Sequence, residues 1–221
     1  MAKKTLTIEG ITFPKYKSGS SKRNFRLVFF IEYVDSAGQT QAVMVTKPAE
    51  GQWKWGNSSS KFPIFPEGND LGDSVELNLI PMRAGQNKFN KSDSQIAEID
   101  GEIVSIGVNF VDVFDSSIMD ILRDNVLPEF VNALQKSGFN PVNFIPGMGI
   151  ADGIIRGTID KNFKFEDVVN KGVEFLQNRK KDKILYNKIQ PYNGEKMLSI
   201  NGRKEWEKGK TGTYEVKIGV K

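Results

Sequence analysis

The spacing of apolar residues changes twice along this chain of 221 residues. Residues 1–110 alternate apolar and polar side chains, which is typical of strands with one buried face. Residues 116–180 repeat apolar side chains at intervals of three and four, as amphipathic helices do, and residues 195–220 alternate again. This change predicts a mainly β protein, α+β overall: an antiparallel β-sandwich with a helical insertion between its late strands.

The boundaries follow from the same pattern. The sandwich domain is expected at residues 1–115 and 183–221, and the helical insertion at residues 116–182. We expect seven or eight antiparallel strands, with the first and last strands lying near each other. The clearest hairpin joins the strand Phe25–Val34 to the strand Gln41–Thr46 through an Asp-Ser-Ala-Gly turn.

Glycine and proline mark the expected breaks in these elements. A phase slip at Gly10 predicts a bulge in the first strand. Pro128 predicts a kink or a division in the first helix, and Gly138 predicts its end. The dipeptides ending at Gly194 and Gly202 both predict turns.

The sequence contains no His and no Cys. It therefore lacks the commonest general base at neutral pH and the thiol nucleophile, and zinc, haem and iron–sulfur sites are not expected. The sequence holds one Gly-Lys-Thr segment, at residues 209–211, but position 204 is Lys where the G-x-x-x-x-G-K-[ST] pattern requires Gly, so we expect no nucleotide site. Because these catalytic residues are missing, the sequence favours a protein that is not an enzyme and that has no cofactor.

Among metal ions, only oxygen-ligated Ca²⁺ or Mg²⁺ stays plausible, and the candidate ligands in the sequence point to Ca²⁺. Asp35 ends one predicted strand, Asp112 ends another, and Asp115 follows shortly after. Carboxylates gathered at one end of a sandwich can bind Ca²⁺. The alternative is that Asp115 caps a helix and Asp35 serves a turn.

Two groups of residues are candidates for contact with a partner or a membrane. Trp53 and Trp55 lie in a loop-like region, where exposed aromatic side chains can contact lipid or protein; buried, they would cover one end of the sandwich. Arg179, Lys180 and Lys181 could contact phosphates; alternatively they complete the C-terminal end of a helix.

A third candidate is a glycine-rich segment. Gly149, Gly153 and Gly157 recur at intervals of four, which on a helix would form a smooth stripe with Asp152 facing Arg156. Such a segment could insert or self-associate after a conformational change. The alternative is a tightly packed loop or short helix against the sheet.

Charge is unevenly distributed. Residues 1–30 carry seven Lys and Arg against one Glu, residues 160–221 carry fifteen cations against nine carboxylates, and residues 31–159 are acidic. If the chain ends pair, they are expected to form a basic face that meets an anionic membrane or an acidic protein, or that only solubilises the protein. A nucleic acid partner is disfavoured.

The order of the strands resembles a C2-type β-sandwich over roughly half of the chain. The segments that carry the resemblance are Leu6–Ile11, Phe25–Val34, Phe62–Pro66, Val75–Leu79, Gly101–Phe110 and Tyr214–Val220. Similarity to C2 domains implies docking to lipid or protein. The calcium-binding aspartates of that family are not recognisable, and no residue of that site is carried over.

These observations favour a non-enzymatic binding or assembly protein that acts through its surface, such as a structural component of a larger bacterial or phage-like complex. One alternative is a membrane-docking or membrane-permeabilising protein, and another is a carboxylate-dependent glycan hydrolase. The first residues contain no apolar segment of a secretion signal, and no apolar run is long enough to span a bilayer. We therefore expect a cytoplasmic protein, or one exported without a cleaved signal peptide.

Overall fold

The computed structural model describes residues 3–12, 23–47, 53–55, 74–76, 94–113, 127–141, 154–178, 183–207 and 210–221. In these ranges the chain forms strands and two helices, numbered in chain order. The strands are β1 (Lys4–Thr12), β2 (Arg23–Val34), β3 (Thr40–Lys47), β4 (Trp53–Trp55), β5 (Ser74–Glu76), β6 (Gln95–Ile99), β7 (Glu102–Val113), β8 (Phe139–Pro141), β9 (Ile154–Ile159), β10 (Lys183–Pro191), β11 (Met197–Glu207) and β12 (Lys210–Val220). The helices are α1 (Leu127–Gln135) and α2 (Phe165–Asn178).

The strands form two antiparallel sheets. In the smaller sheet the order is β11-β12-β1, and the far edge of β1 pairs with β6 at its start and with β5 at its end. In the larger sheet the order is β10-β7-β2-β3-β9-β8, and β4 pairs with the start of β2. The predicted mainly β sandwich with a small helical part is confirmed, although the described strands outnumber the seven or eight expected.

The main core lies between the sheets. Because side chains alternate across a strand, every second residue of β1, β12 and β2 faces the opposite sheet. The largest side chains that are fully buried there are Leu6, Ile8, Ile11, Leu27, Phe29, Ile31, Phe110 and Tyr214. Removing a ring such as that of Phe110 is expected to cost about 3–5 kcal/mol.

The larger sheet is also buried on its outer face. In β2, Phe29 and Ile31 face the smaller sheet, whereas Val28 and Phe30 pack in a second cluster with residues of both helices. The helical members of that cluster are Val131, Leu134, Phe165, Val168, Val169 and Val173. Burial on both faces explains why Leu27–Ile31 of β2 is a continuous apolar run and not an alternation.

The predicted turns and breaks are mostly confirmed. The β2–β3 hairpin turns at Gly38, which has a φ of +74°. The pairing of β1 with β12 shifts between Ile8 and Gly10, as the predicted bulge requires. Gly138, with a φ of +78°, donates its amide to the Gln135 carbonyl at 2.9 Å and ends α1.

The predicted kink or division at Pro128 concerns a helix of which only the second part is described. Helix α1 begins at Leu127, so Pro128 lies in the first turn, where its missing N–H removes no helical hydrogen bond. Residues 114–126, where an earlier helical turn was predicted, lie outside the described residues.

Two expectations need correction. The block 116–182 is not wholly helical, because β8 and β9 pair with each other and β9 pairs with β3. Asn201-Gly202 is not a turn but lies within β11, where an added Cβ at Gly202 would overlap the ring of Tyr186. A glycine there makes room for an aromatic side chain inside the sandwich.

Candidate functional site: a cleft at the end of the larger sheet

A cleft of about 1040 Å³ opens where the β2–β3 turn faces the start of α2. Three parts of the chain line it: the turn, the loop between β9 and α2, and the outer surface of the larger sheet. The lining residues are Ala37–Thr40 from the turn, Thr158–Lys161 and Phe163–Glu166 from the loop and helix start, and Glu32, Ser105 and Ile189 from the sheet.

The turn that forms the first wall is fixed by the carboxylate of Asp35. Its Oδ1 accepts hydrogen bonds from the amides of Ala37 and Gln39, and its Oδ2 accepts one from Nε2 of Gln41, all at 2.9 Å. The bonds from Gln39 and then Gln41 lower the pKa of Asp35 from its ordinary value. Thr158 Oγ1 donates to Gln41 Oε1 at 3.2 Å, so the turn is tied to β9.

The second wall is the loop that leads into α2. Asp160 Oδ1 accepts the amide of Asn162 at 3.2 Å, and the Asp160 carbonyl accepts the amide of Phe163 at 2.9 Å. The amide of Lys164 donates to Asp167 Oδ2 at 3.3 Å, as in the second half of a capping box. The loop is therefore held by its own hydrogen bonds.

The floor of the cleft carries a hydrogen-bonded carboxylate. Glu32 in β2 lies opposite Ser105 in β7, and Ser105 Oγ donates to Glu32 Oε2 at 2.7 Å. Ser105 is buried, with 8% of its surface exposed, whereas Glu32 is half-buried. On the outer face of β2, Phe30 is therefore covered by the helices, whereas Glu32, two residues further along, forms a polar pair with Ser105 at the cleft.

The rim combines charges of both signs with one aromatic ring. Lys161, Lys164 and Glu166 are exposed, and Phe163 has 43% of its surface exposed. The ring of Phe163 lies against Gly138, where an added Cβ would overlap it. The arrangement can hydrogen-bond a polar ligand and offer it an apolar surface.

Sequence reasoning missed this cleft. Glu32 and Ser105 are 73 positions apart in the chain, and Phe163 lies in a predicted helical block. One signal was available: Glu32 is the only charged residue in the segment Leu27–Val34, which is otherwise apolar or aromatic.

The structure separates the predicted calcium ligands. Asp112 pairs with Phe25 at the start of β2, whereas Asp35 follows the end of β2, ten residues further along. At about 3.3 Å per residue the two are roughly 30 Å apart, so they cannot ligate one ion. Asp115 lies outside the described residues, and among the described residues no group of three or more carboxylates could hold a metal ion.

The other predicted contact residues are only partly described. Trp53 and Trp55 form β4, which pairs with Arg23–Phe25 of β2, so they lie in a strand and not in a loop. Their side chains, like the residues Arg179, Lys180 and Lys181, lie outside the part that the structure describes.

Gly157 lies in strand β9 and not on a helix. An added Cβ there would come within 2.6 Å of the Asn140 carbonyl oxygen and 2.5 Å of Phe139 Cζ. Arg156 donates through Nη2 to the Glu98 carbonyl at 3.0 Å and so links the two sheets. Gly149, Gly153 and Asp152 are outside the described residues.

Pairing of β1 with β12 brings the two ends of the chain together, as the sequence predicts. The Thr5 amide donates to the Lys221 carbonyl at 2.7 Å. Where side chains are described, the outer face of the smaller sheet carries charges of both signs, among them Glu9, Glu98, Glu215, Arg203, Lys217 and Lys221. Lys221 Nζ lies 3.5 Å from Glu9 Oε1.

Neither described helix is both long enough and apolar enough to cross a membrane. No protein-family model matches the sequence, and neither a curated protein nor a solved structure is detectably similar to it, so the resemblance to C2 domains stays a prediction.

Proposed function

We propose that this protein is a non-enzymatic binding protein and that the cleft at the end of the larger sheet receives its ligand. The cleft itself carries the proposal: its volume, about 1040 Å³, is at the upper end of the range for ligand sites, and hydrogen bonds hold both of its walls. A preformed site of this kind reduces the entropy lost on binding. A component of a larger assembly can use such a cleft to recognise its partner.

Sequence chemistry supports binding over catalysis. Without His and Cys, the chain lacks the commonest general base and the thiol nucleophile. A specific observation nevertheless favours glycan hydrolysis as a second candidate, because Glu32, Asp160 and Glu166 line the same cleft. Glycosidases use two such carboxylates, one as acid and the other as base or nucleophile.

The binding function can be tested with a matched pair of blocking variants. Ala37 and Ser36 are exposed neighbours in the turn, but only Ala37 lines the cleft. A library of uncharged, anionic and cationic compounds is titrated into isotope-labelled protein, and amide chemical shifts are followed. We expect shifts at Gly38, Gln39 and Lys161 that Ala37→Trp abolishes and Ser36→Trp preserves. Shifts confined to the smaller sheet, or none, would contradict the proposal.

The hydrolase candidate is decided by product analysis. Oligosaccharides are incubated with the protein, and release of new reducing ends is measured for the wild type and for Glu32→Gln. Release that Glu32→Gln removes would establish hydrolysis. Binding without release would leave the non-enzymatic function.

A further inference from the structure

The charges around the cleft are mixed and nearly balanced. Two cations, Lys161 and Lys164, line it together with three carboxylates, Glu32, Asp160 and Glu166. A site for a strongly anionic or cationic ligand concentrates one sign of charge, which raises both affinity and association rate. The balance here favours a ligand without net charge.

The polar side chains of the cleft can accept hydrogen bonds from the hydroxyl groups of a ligand and can also donate hydrogen bonds to them. Carboxylate oxygens accept hydrogen bonds, whereas lysine ammonium groups only donate them. Glu32 Oε2 already accepts a hydrogen bond from the Ser105 hydroxyl at 2.7 Å, which orients the carboxylate. A hydroxyl both donates and accepts, so a ligand rich in hydroxyl groups can use the carboxylates and the lysines at once.

The exposed ring supplies an apolar surface in the same place. Phe163 is one of three large hydrophobic residues that are exposed among the described residues, and the only one of the three that lines the cleft. The side chain packs against Gly138, and the residue lines the cleft. Rigid aromatic side chains of this kind serve as anchors in binding sites.

We propose that the ligand of this cleft is an uncharged oligosaccharide. The C–H surface of a sugar ring packs on Phe163, and its hydroxyl groups donate to Glu32 and Glu166 and accept from Lys161 and Lys164. This inference rests on the proposed binding function and adds the chemical class of the ligand.

The test uses neutral and charged probes in parallel. Maltohexaose, cellohexaose and chitohexaose are the uncharged probes, and inorganic phosphate and Ca²⁺ are the charged ones. We expect one of the oligosaccharides to shift the amides of Gly38, Gln39 and Lys161, with an affinity that added salt does not change. Shifts at these amides with phosphate or Ca²⁺ alone would overturn the inference but preserve the binding function. No shift with any of these probes would overturn the oligosaccharide inference, and the compound library described above then tests the binding function separately.

Variants of the ring separate stacking from folding. Phe163→Ala removes the ring, and Phe163→Leu keeps an apolar side chain against Gly138 but not the flat surface. We expect both to weaken oligosaccharide binding about tenfold, which corresponds to about 1.4 kcal/mol. The control is Met197→Ala, which removes a side chain of similar exposure, 51%, outside the cleft. Undiminished binding by folded Phe163→Leu would overturn the stacking part of the inference.

Discussion

Gly157 offers a direct test of how closely β8 and β9 pack. It is compared with Gly107, a second glycine within the larger sheet; neither has a positive φ, so alanine strains neither backbone. At Gly157 an added Cβ would lie 2.6 Å from a backbone oxygen, that of Asn140, and 2.5 Å from the buried ring of Phe139. At Gly107 the nearest atom is Ile189 Cγ1 at 3.3 Å, which belongs to a side chain that can move.

The expected cost follows from these contacts. Overpacking a rigid site costs about 1–3 kcal/mol, and a backbone oxygen cannot move without disturbing the pairing of β8 with β9. Against this, alanine stabilises by about 0.4–1 kcal/mol because it restricts the unfolded chain. We therefore expect Gly157→Ala to lower the free energy of unfolding by about 2 kcal/mol and Gly107→Ala to change it by less than about 0.5 kcal/mol.

Urea unfolding measures both variants under one condition. For a chain of this length, a loss of about 2 kcal/mol also lowers the melting temperature by about 4–8 °C. Equal losses in the two variants would refute the reasoning, because the contacts of Gly157 would then not exist in solution. A large loss at Gly157 would also assign that glycine a packing role that a freely inserting segment would not need.

Three further predictions concern pH and the edge of the smaller sheet. Because hydrogen bonds lower the pKa of Asp35, its contribution to stability is present at neutral pH and is lost on acidification; urea unfolding should show the deficit of Asp35→Asn shrinking below about pH 4. Burial raises the pKa of Tyr186, so stability falls as pH rises past about 10, and Tyr186→Phe should reduce this loss in the same assay. Lys188 Nζ donates to the Asn201 carbonyl of β11 at 2.8 Å, and β11 is an edge strand of the smaller sheet in the described part of the chain; Lys188→Ala should increase self-association in sedimentation velocity, whereas Lys196→Ala should not.

The strands that are best predicted from the sequence have one solvent-exposed face or are followed by a clear turn. Alternation revealed β1 and β12, and the turn before Gln39 revealed the β2–β3 hairpin. Strand β10 was missed because the bulge between Ile184 and Tyr186 breaks its alternation. Strand β9 was missed because it is six residues long, and because a glycine at 157 takes the place of a side chain on the face that packs under the helices.

The candidate site was less accessible to sequence reasoning for a topological reason. The C-terminal ends of antiparallel neighbours such as β2 and β7 lie at opposite ends of the strand pair, so the predicted proximity of Asp35 and Asp112 was wrong. The cleft instead joins Glu32, Ser105 and the loop around Phe163, which are far apart in the chain. No local sequence pattern predicts that these residues come together, although Glu32, a single charged residue in an apolar segment, is an exception to the pattern of its strand.

That exception leads to the last prediction, which asks whether the Glu32–Ser105 pair serves stability or binding. Replacing both members of a hydrogen-bonded pair with apolar residues of similar size is nearly neutral or stabilising when the pair has only a small net effect. The double variant Glu32→Leu with Ser105→Val would extend the apolar outer face that Phe30 begins.

If the pair is kept for its ligand, the double variant should unfold in urea at the wild-type concentration or higher and should lose binding in the cleft. Ser105→Ala alone should instead destabilise by about 1 kcal/mol, because the half-buried carboxylate then loses its donor. A double variant that is less stable than Ser105→Ala would show that the pair is structural. The pair would then give no support to ligand binding, and the proposal would rest on the walls of the cleft and on Phe163 alone.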